Sequence, residues 1–526
     1  MRKGKGNDLS RAGAAGEAAF LRGLLFVRYN KGNRLSPPGG GEREKTMFVH
    51  EVYQGAAPDH AVFYGEKTVT YGELAEAVRR CRNRLFQMGI SKGQRVGLYS
   101  ENRPEFVYVY MAVVSLGAVI IPINSYLVDR EVDFILKDAG ASLLIADKAL
   151  SVSAPVLSIY DLMAEAAEGA APDAPDFPSD LTEDDVCTFV YTSGTTGNPK
   201  GAMLTHRNLV ENTIQFNGRL PFREEDNVLC VLPMFHCYGW TTAVMAPLRS
   251  HSSITVLRTK NPAEIIHAIK EFGVTIAFMV PPMYNLLARR GKPSDVETVR
   301  YFVSGGAAIP QPVSQAFYER FHRPVIAGYG LTEASPVVSV LSPDRPKYLS
   351  VGQPLPGVEA KIVTEEGGPY VPGAVGELWV RGANVMKGYW HREAETKDVL
   401  REGGWLRTGD LAYMDSDQYI YIVDRIKDLI IVNGENIYPG EVEDRIYEVE
   451  GVGECAVVGH PDPLRGQAAW AYIVMKEGYP FDEARIRQYL SANLAAYKIP
   501  RRFIPMDALP KNATGKILKR ALREAN

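Results

Sequence analysis

From Arg95 onward the chain alternates short apolar runs with longer amphipathic ones, and that alternation leaves few folds open. "RVGLYS" (Arg95–Ser100) reads as a buried strand, and "RPEFVYVYMAVVSLG" (Arg103–Gly117) as a helix with proline near its start. "AVIIPIN" is strand again, "DREVDFILKDAG" helix and "ASLLIAD" strand. A second round runs through "DNVLCVLP", "SSITVL", "PAEIIHAIKEFG", "VTIAFMVP" and "RYFVSGG". Strands that are apolar throughout and separated by helices belong in parallel sheets covered by helices, an α/β architecture. Beyond Gly352 the texture becomes β-rich with Gly/Pro turns, and after Asp424 it becomes compact α+β. At 526 residues one ordinary core does not suffice. The expected organisation is a large domain of helix-covered sheets with a β-rich subdomain over residues 47–425. A small α+β domain follows over 426–526, with the boundary near Arg425–Lys427.

Composition matters mainly for what it excludes. A formal net charge of −3 gives no reason to expect a nucleic-acid partner. Cys81, Cys187, Cys230, Cys237 and Cys455 are widely spaced with no CxxC pair, which suits buried thiols in a reducing cytoplasm. No apolar run reaches the roughly 20 residues that a membrane helix needs. Peripheral contact with a membrane and a homodimer both stay open.

Residues 1–46 do not match the remainder, carrying ten Lys/Arg against four Asp/Glu. "AAFLRGLLFV" resembles a signal core but is interrupted by Arg22, and "NKGNRLSPPGGGEREK" reads as unstructured chain. Gly40–Lys45 would be encoded by a purine-rich tract like a bacterial ribosome-binding site. The expectation is therefore a non-native or disordered extension before a natural start at Met47. A basic targeting segment is the alternative.

The chemistry gathers at "YTSGTTGNPKGAMLTHRNL" (Tyr191–Leu209). A nucleotide-triphosphatase P-loop requires Lys directly after its second Gly, whereas here Pro199 stands five residues after Gly194 and Gly201 follows Lys200. The physics of a phosphate cradle survives that failure. Gly194 and Gly197 let backbone N–H groups converge, Thr192, Ser193, Thr195 and Thr196 offer hydroxyls, and Lys200 supplies a point charge. Thr205 is an N-cap for a helix just after the loop.

This string resembles the signature loop of the adenylate-forming enzymes: acyl-CoA synthetases, adenylation domains of peptide synthetases, and luciferases. "GYGLTEASP" (Gly328–Pro336), "GWLRTGD" (Gly404–Asp410), "DRIKDLIIVNGENIYPGEVE" (Asp424–Glu443) and "LPKNATGK" (Leu509–Lys516) resemble further motifs of that family, in the same order. The resemblance spans Met47 to Asn526. It implies that the loop holds the β/γ-phosphates of ATP while a carboxylate attacks the α-phosphorus. The substrate is then itself the nucleophile, and the protein's task is positioning and charge stabilisation.

The resemblance also assigns roles. Thr332 and Glu333 contact the α-phosphate and Mg²⁺, with Glu333 the metal ligand. Gly328, Tyr329 and Gly330 border the nucleotide, Tyr329 offering a face for adenine. Gly305, Gly306 and Ala307 of "SGGAA" lie along the adenine and acyl pocket. Asp410 takes the ribose hydroxyls, with Arg425 beside it. Lys516 is the catalytic lysine, bridging the substrate carboxylate and α-phosphate during adenylation only. Lys427 falls at the hinge, and rotation about it withdraws Lys516 and brings in the Gly434 segment for coenzyme A (CoA). Two departures stand out: Gln418 where the family usually has Gly, for which a local adjustment of the turn without loss of activity is expected, and Gln467 where Glu is commoner, a lost charge expected to weaken a contact in one of the two domain orientations.

For the substrate, "PMFHCYGW" (Pro233–Trp240) has no acidic residue to hold an amino acid's ammonium group. Apolar "TTAVMAPL" and "IAFMVPPMYNLL" point to a carboxylic acid with an apolar tail. His236 is placed with the catalytic residues as a wall or gate of that pocket, and not as a metal ligand. The expectation is a fatty acid–CoA ligase using ATP, Mg²⁺ and CoA, most like bacterial medium- or long-chain enzymes. The alternatives are an aryl or hydroxycinnamate CoA ligase, in which Tyr238 or Trp240 flanks a ring, an enzyme loading a carrier protein in trans, and a silent relative.

Overall fold

A computed structural model describes residues 47–168, 178–192, 199–347, 349–364, 370–512 and 515–524. The 1–46 extension lies outside them, so the expectation about it carries no structural counterpart.

Among the described residues the expected strands form at or within a few residues of their predicted bounds. Arg95–Tyr99, Val119–Ile123 and Leu143–Ala146 are parallel neighbours in one seven-stranded sheet. Asn227–Cys230, Ser253–Val256, Ile276–Met279 and Tyr301–Ser304 are parallel neighbours in a nine-stranded sheet. The helix Pro104–Ser115 is buried along nearly its whole length, as a helix apolar on every side must be. Tyr108 on it packs near Phe63 of the nine-stranded sheet, while Tyr110 bonds Thr188 Oγ1 of the seven-stranded sheet at 2.5 Å. The two sheets thus share one helix as common filling. Asn102, just before it, donates to the carbonyls of Leu232 and Leu257 and accepts from Met234 N–H, tying the carboxyl ends of strands from both sheets.

The β-rich segment forms a five-stranded sheet containing Glu359–Val363, Gly376–Arg381, Trp405–Met414 and Ile420–Arg425. A further sheet over Ile430–Pro505 has its own apolar core, in which Ile430, Ile437, Val442, Val457, Ile473 and Phe503 are buried. Among the described residues no helix is long and apolar enough to cross a membrane.

Gln418 sits at φ 64°, in the left-handed region that glycine tolerates best. The turn is held by Asp415, whose Oδ1 accepts from Asp417 N–H and Tyr419 N–H and whose Oδ2 pairs with Lys347 at 2.5 Å. The expected local adjustment is therefore a non-glycine residue kept left-handed by its neighbours. Gln418→Gly relieves that strain, set against a larger entropy loss on folding. The expected outcome is a stability gain of up to about 1 kcal/mol, read from the urea midpoint at unchanged slope.

Candidate active site

The strands Val186–Thr192 and Lys200–Thr205 are antiparallel, and Thr192 pairs with Lys200. The phosphate-type loop is therefore a hairpin connection. Its Ser193, Gly194, Thr195, Thr196 and Gly197 lie outside the described residues. The Lys200 ammonium stands 3.8 Å from Glu395 Oε1 and 5.4 Å from the centre of the Tyr389 ring. Thr205 is the expected N-cap: its Oγ1 accepts from Asn208 N–H, and Asn208 Oδ1 accepts from Thr205 N–H. The helix does not begin at the loop, however. A full strand separates them, so the helix starts at His206, about 20 Å of extended chain beyond Lys200.

The segment carrying Gly328, Tyr329 and Gly330 ends the strand Val325–Gly330, and a short 3-10 turn holds Thr332 and Glu333. A Cβ on Gly330 would lie 2.1 Å from the Pro336 carbonyl oxygen, so only glycine closes this turn. Thr332 Oγ1 lies 3.3 Å from Cys237 Sγ, which places the turn beside the His236 segment. The Glu333 carboxylate accepts from the Tyr389 hydroxyl at 2.7 Å.

Asp410 and Arg425 are cross-strand partners, with Arg425 Nε 3.1 Å from Asp410 Oδ1. Tyr329 donates its hydroxyl to Asp410 Oδ2 at 2.5 Å. At 2 % exposure, the Asp410 carboxylate is out of reach of bulk water and takes these partners in its place. Tyr329, read from the sequence as an adenine face, thus also orients Asp410. A carboxylate has lone pairs beyond these two contacts with which to accept hydroxyl groups.

His236 caps the short helix Cys237–Trp240, which runs through a π-helical turn, Thr241–Met245, into Ala246–Arg249. Such turns interrupt regular helices mostly at functional sites. His236 Nδ1 accepts from Tyr238 N–H at 3.1 Å, so the ring proton resides on Nε2. Burial, and secondarily the charge of Lys516, lowers its pKa to about 4, so the ring is neutral at pH 7. Tyr238 lies flat against the glycine pair: a Cβ on Gly305 would stand 2.8 Å from its Cζ. Gly306 follows at φ 77°, and Ala307 is half-buried beside it. Trp240 does not flank the pocket as expected. It stacks on Tyr110 with ring centroids 3.8 Å apart, inside the core.

Lys516 reaches this region from the C-terminal sheet. A Cβ on Gly515 would lie 3.6 Å from Val280 Cγ2, so its loop docks on the entrance to the helix Pro281–Arg290. Asn512 Oδ1 accepts from Lys516 N–H, and Asn512 N–H donates to the Lys516 carbonyl. Burial, and secondarily the charge of Arg425, lowers the Lys516 pKa to about 8. Lys427 sits in the 3-10 turn Ile426–Asp428 that leads out of the β-rich sheet. Gly434 is exposed at φ 85° beside Asn433 at φ 53°, the two-residue turn of a hairpin. Gln467, a departure expected to matter between domains, works within the C-terminal sheet: its Oε1 accepts from Ile431 N–H. Sequence reasoning missed Tyr389, because a tyrosine in "KGYW" carries no chemical motif of its own.

Comparisons agree with this layout. Residues 51–390 match the model of the AMP-binding enzymes, and residues 441–516 that of the AMP-binding enzyme C-terminal domain. The chain is 37% identical over 472 residues to a feruloyl-CoA synthase of Amycolatopsis sp, covering 88% of this chain and 95% of that protein. It is 32% identical to a long-chain-fatty-acid–CoA ligase of Bacillus subtilis, covering 88% and 90%. Among solved structures, the o-succinylbenzoate CoA synthetase of Bacillus subtilis in complex with ATP and magnesium ion superposes with a TM-score of 0.81. That match is at 31% identity and covers 90% of this chain and 99% of that one. Five motifs in order, a site that draws Glu333, Asp410 and Lys516 from a 3-10 turn, a strand and a C-terminal loop, and these matches over nearly the whole chain have one explanation: the chain belongs to the AMP-binding enzymes.

Proposed function

We propose that this enzyme is an ATP-dependent acid–CoA ligase whose acid is aryl, of the hydroxycinnamate kind. The first sequence expectation, a fatty acid, gives way to its alternative. The fatty-acid relative is the more distant of the two compared above. The observation that carries the aryl reading is the Tyr238–Gly305 wall. Tyr238 is held on Gly305, edge-on to Phe278, with its hydroxyl donating to the Val303 carbonyl at 3.3 Å. A ring fixed in this way gives a proposed acid pocket a rigid flat wall, which suits a planar acid better than a long flexible chain. Pro233–Trp240 holds no acid to pair with an amine, so an amino acid is disfavoured.

In the first half-reaction a carboxylate oxygen bonds the α-phosphorus, the α–β bridging P–O bond breaks, and pyrophosphate leaves. In the second, the CoA sulfur bonds the acyl carbon, AMP departs with the electron pair, and the thiol proton is released. Mg²⁺ fits Glu333: among the described residues no three His, Cys, Asp or Glu side chains are grouped to cage a metal, and one carboxylate plus phosphates and waters is the usual Mg²⁺ set. Bound there, the ion would neutralise charge on the phosphates. Lys516 places its ammonium against the negative charge shared by carboxylate and α-phosphate. Neutral His236 offers Nε2–H to the pocket without adding charge. Arg425 and Asp410 hold the ribose end, and Lys200 serves the phosphate loop. Residues 426–526 act as a lid turning about Lys427, which removes Lys516 after adenylation and presents the Gly434 hairpin to CoA.

Four measurements test this reading. Pyrophosphate release with Mg²⁺ is followed across aryl and saturated fatty acids, each with and without CoA. The expected result is the highest kcat/KM among aryl acids, with sustained turnover only when CoA is present; an optimum at a long fatty acid returns the first expectation. Tyr238→Ala should open the slot and raise kcat/KM for a chain a few methylenes longer by about ten-fold, at the expense of the best aryl acid. Lys516→Ala should slow adenylation by about 10²–10³-fold while leaving CoA attack on supplied acyl-adenylate nearly intact. Because Lys516 loses its charge as pH rises, kcat/KM for ATP should fall above about pH 8, and Lys516→Arg should move that limb to higher pH.

A further inference from the structure

Three bonds reach Glu333 and its neighbour Ala334 from the segment Asn384–Tyr389. Asn384 Nδ2 donates to the Ala334 carbonyl, Met386 N–H donates to the Glu333 carbonyl, and the Tyr389 hydroxyl donates to Glu333 Oε1 at 2.7 Å. The same segment forms the edge strand Gly388–Tyr389, paired with Lys200–Thr205 so that Tyr389 lies opposite Ala202. Lys387 N–H and Trp390 N–H bond carbonyls of that strand on either side, and Tyr389 N–H is held by Thr396 Oγ1 at 2.9 Å. The Tyr389 side chain is thereby fixed to the strand that begins where the phosphate loop ends. Its ring lies by the Lys200 ammonium and its hydroxyl on the Glu333 carboxylate.

We propose that Tyr389 is a positioning residue that registers the Glu333 carboxylate against the phosphate loop, so that a divalent cation bound to ATP meets a carboxylate already aimed. The proposal rests on reading the site as an ATP site. A carboxylate has two oxygens: the tyrosine bond occupies one and fixes the plane, and the other would be left to hold a cation. Partners of this kind behind a ligating group change metal affinity by about 10–100-fold when lost. Packing alone predicts no such metal selectivity, because the ring remains when the hydroxyl is removed.

The test is calorimetric binding of ATP to the full chain, with Mg²⁺ and separately with EDTA. Tyr389→Phe should weaken MgATP binding by about ten-fold and change metal-free ATP binding by less than about two-fold, with an unchanged melting temperature. In turnover, KM for MgATP should rise while KM for the acid stays constant. Glu333→Gln, which keeps an acceptor for the hydroxyl, should lose the metal-dependent part of ATP affinity. Adding Tyr389→Phe to it should cause no further loss, because the two act through one contact. Equal weakening with and without metal, or unchanged MgATP affinity, overturns the role assigned to Tyr389. A wild-type chain that binds ATP in neither condition overturns the ligase reading itself, and this inference with it.

Discussion

A carboxylate as deeply buried as Asp410 must be paired, and the way it is paired organises the site. Tyr329 arrives from the end of a nine-stranded sheet, and Arg425 from the last residue of a neighbouring strand in the five-stranded one. Lys516, from the loop that follows the C-terminal sheet, lies within the field of both Asp410 and Arg425. Removing one partner of such a cluster would leave uncompensated charge in a low-dielectric setting, so the arrangement is over-determined. It also ends where Ile426–Asp428 begins, so the large domain is pinned up to the residue before the turn that carries Lys427.

The phosphate side is built on a different device. The helix that follows in sequence does not supply its N-terminus there, because the strand Lys200–Thr205 intervenes before His206. The proposed triphosphate site therefore rests on Lys200 and on the Glu333 carboxylate. That places weight on the alignment between the Lys200 strand and the Glu333 turn. The edge strand carrying Tyr389 joins the two through main-chain bonds, which are stiffer than contacts between side chains.

Much of this was legible in advance, for identifiable reasons. Apolar runs such as Arg95–Tyr99 and Ile276–Met279 became strands because a parallel sheet covered on both faces demands such runs. Thr205 capped its helix because Thr followed three residues later by Asn is a local signal. Trp240 misled because its neighbours His236 and Tyr238 do face the site. The helical turn from Tyr238 to Trp240 sends the indole to the opposite side, onto Tyr110. The partner of Gln467 was not legible because it is set by register: the sheet placed Ile431 N–H beside it.

The sequence by itself determined the strand and helix order, and its motifs nominated the boundary at Arg425–Lys427 and Glu333, Asp410 and Lys516 as site residues. Periodicity, turn chemistry and short motifs are properties of neighbouring residues. Only the tertiary structure decided that Tyr329 and Arg425 share one carboxylate, that Gly305 is the seat of Tyr238, and that Tyr389 reaches Glu333 across 56 positions of chain. Those contacts depend on which sheet edges meet in space, and such meetings follow from packing whole layers, which no local stretch of sequence encodes.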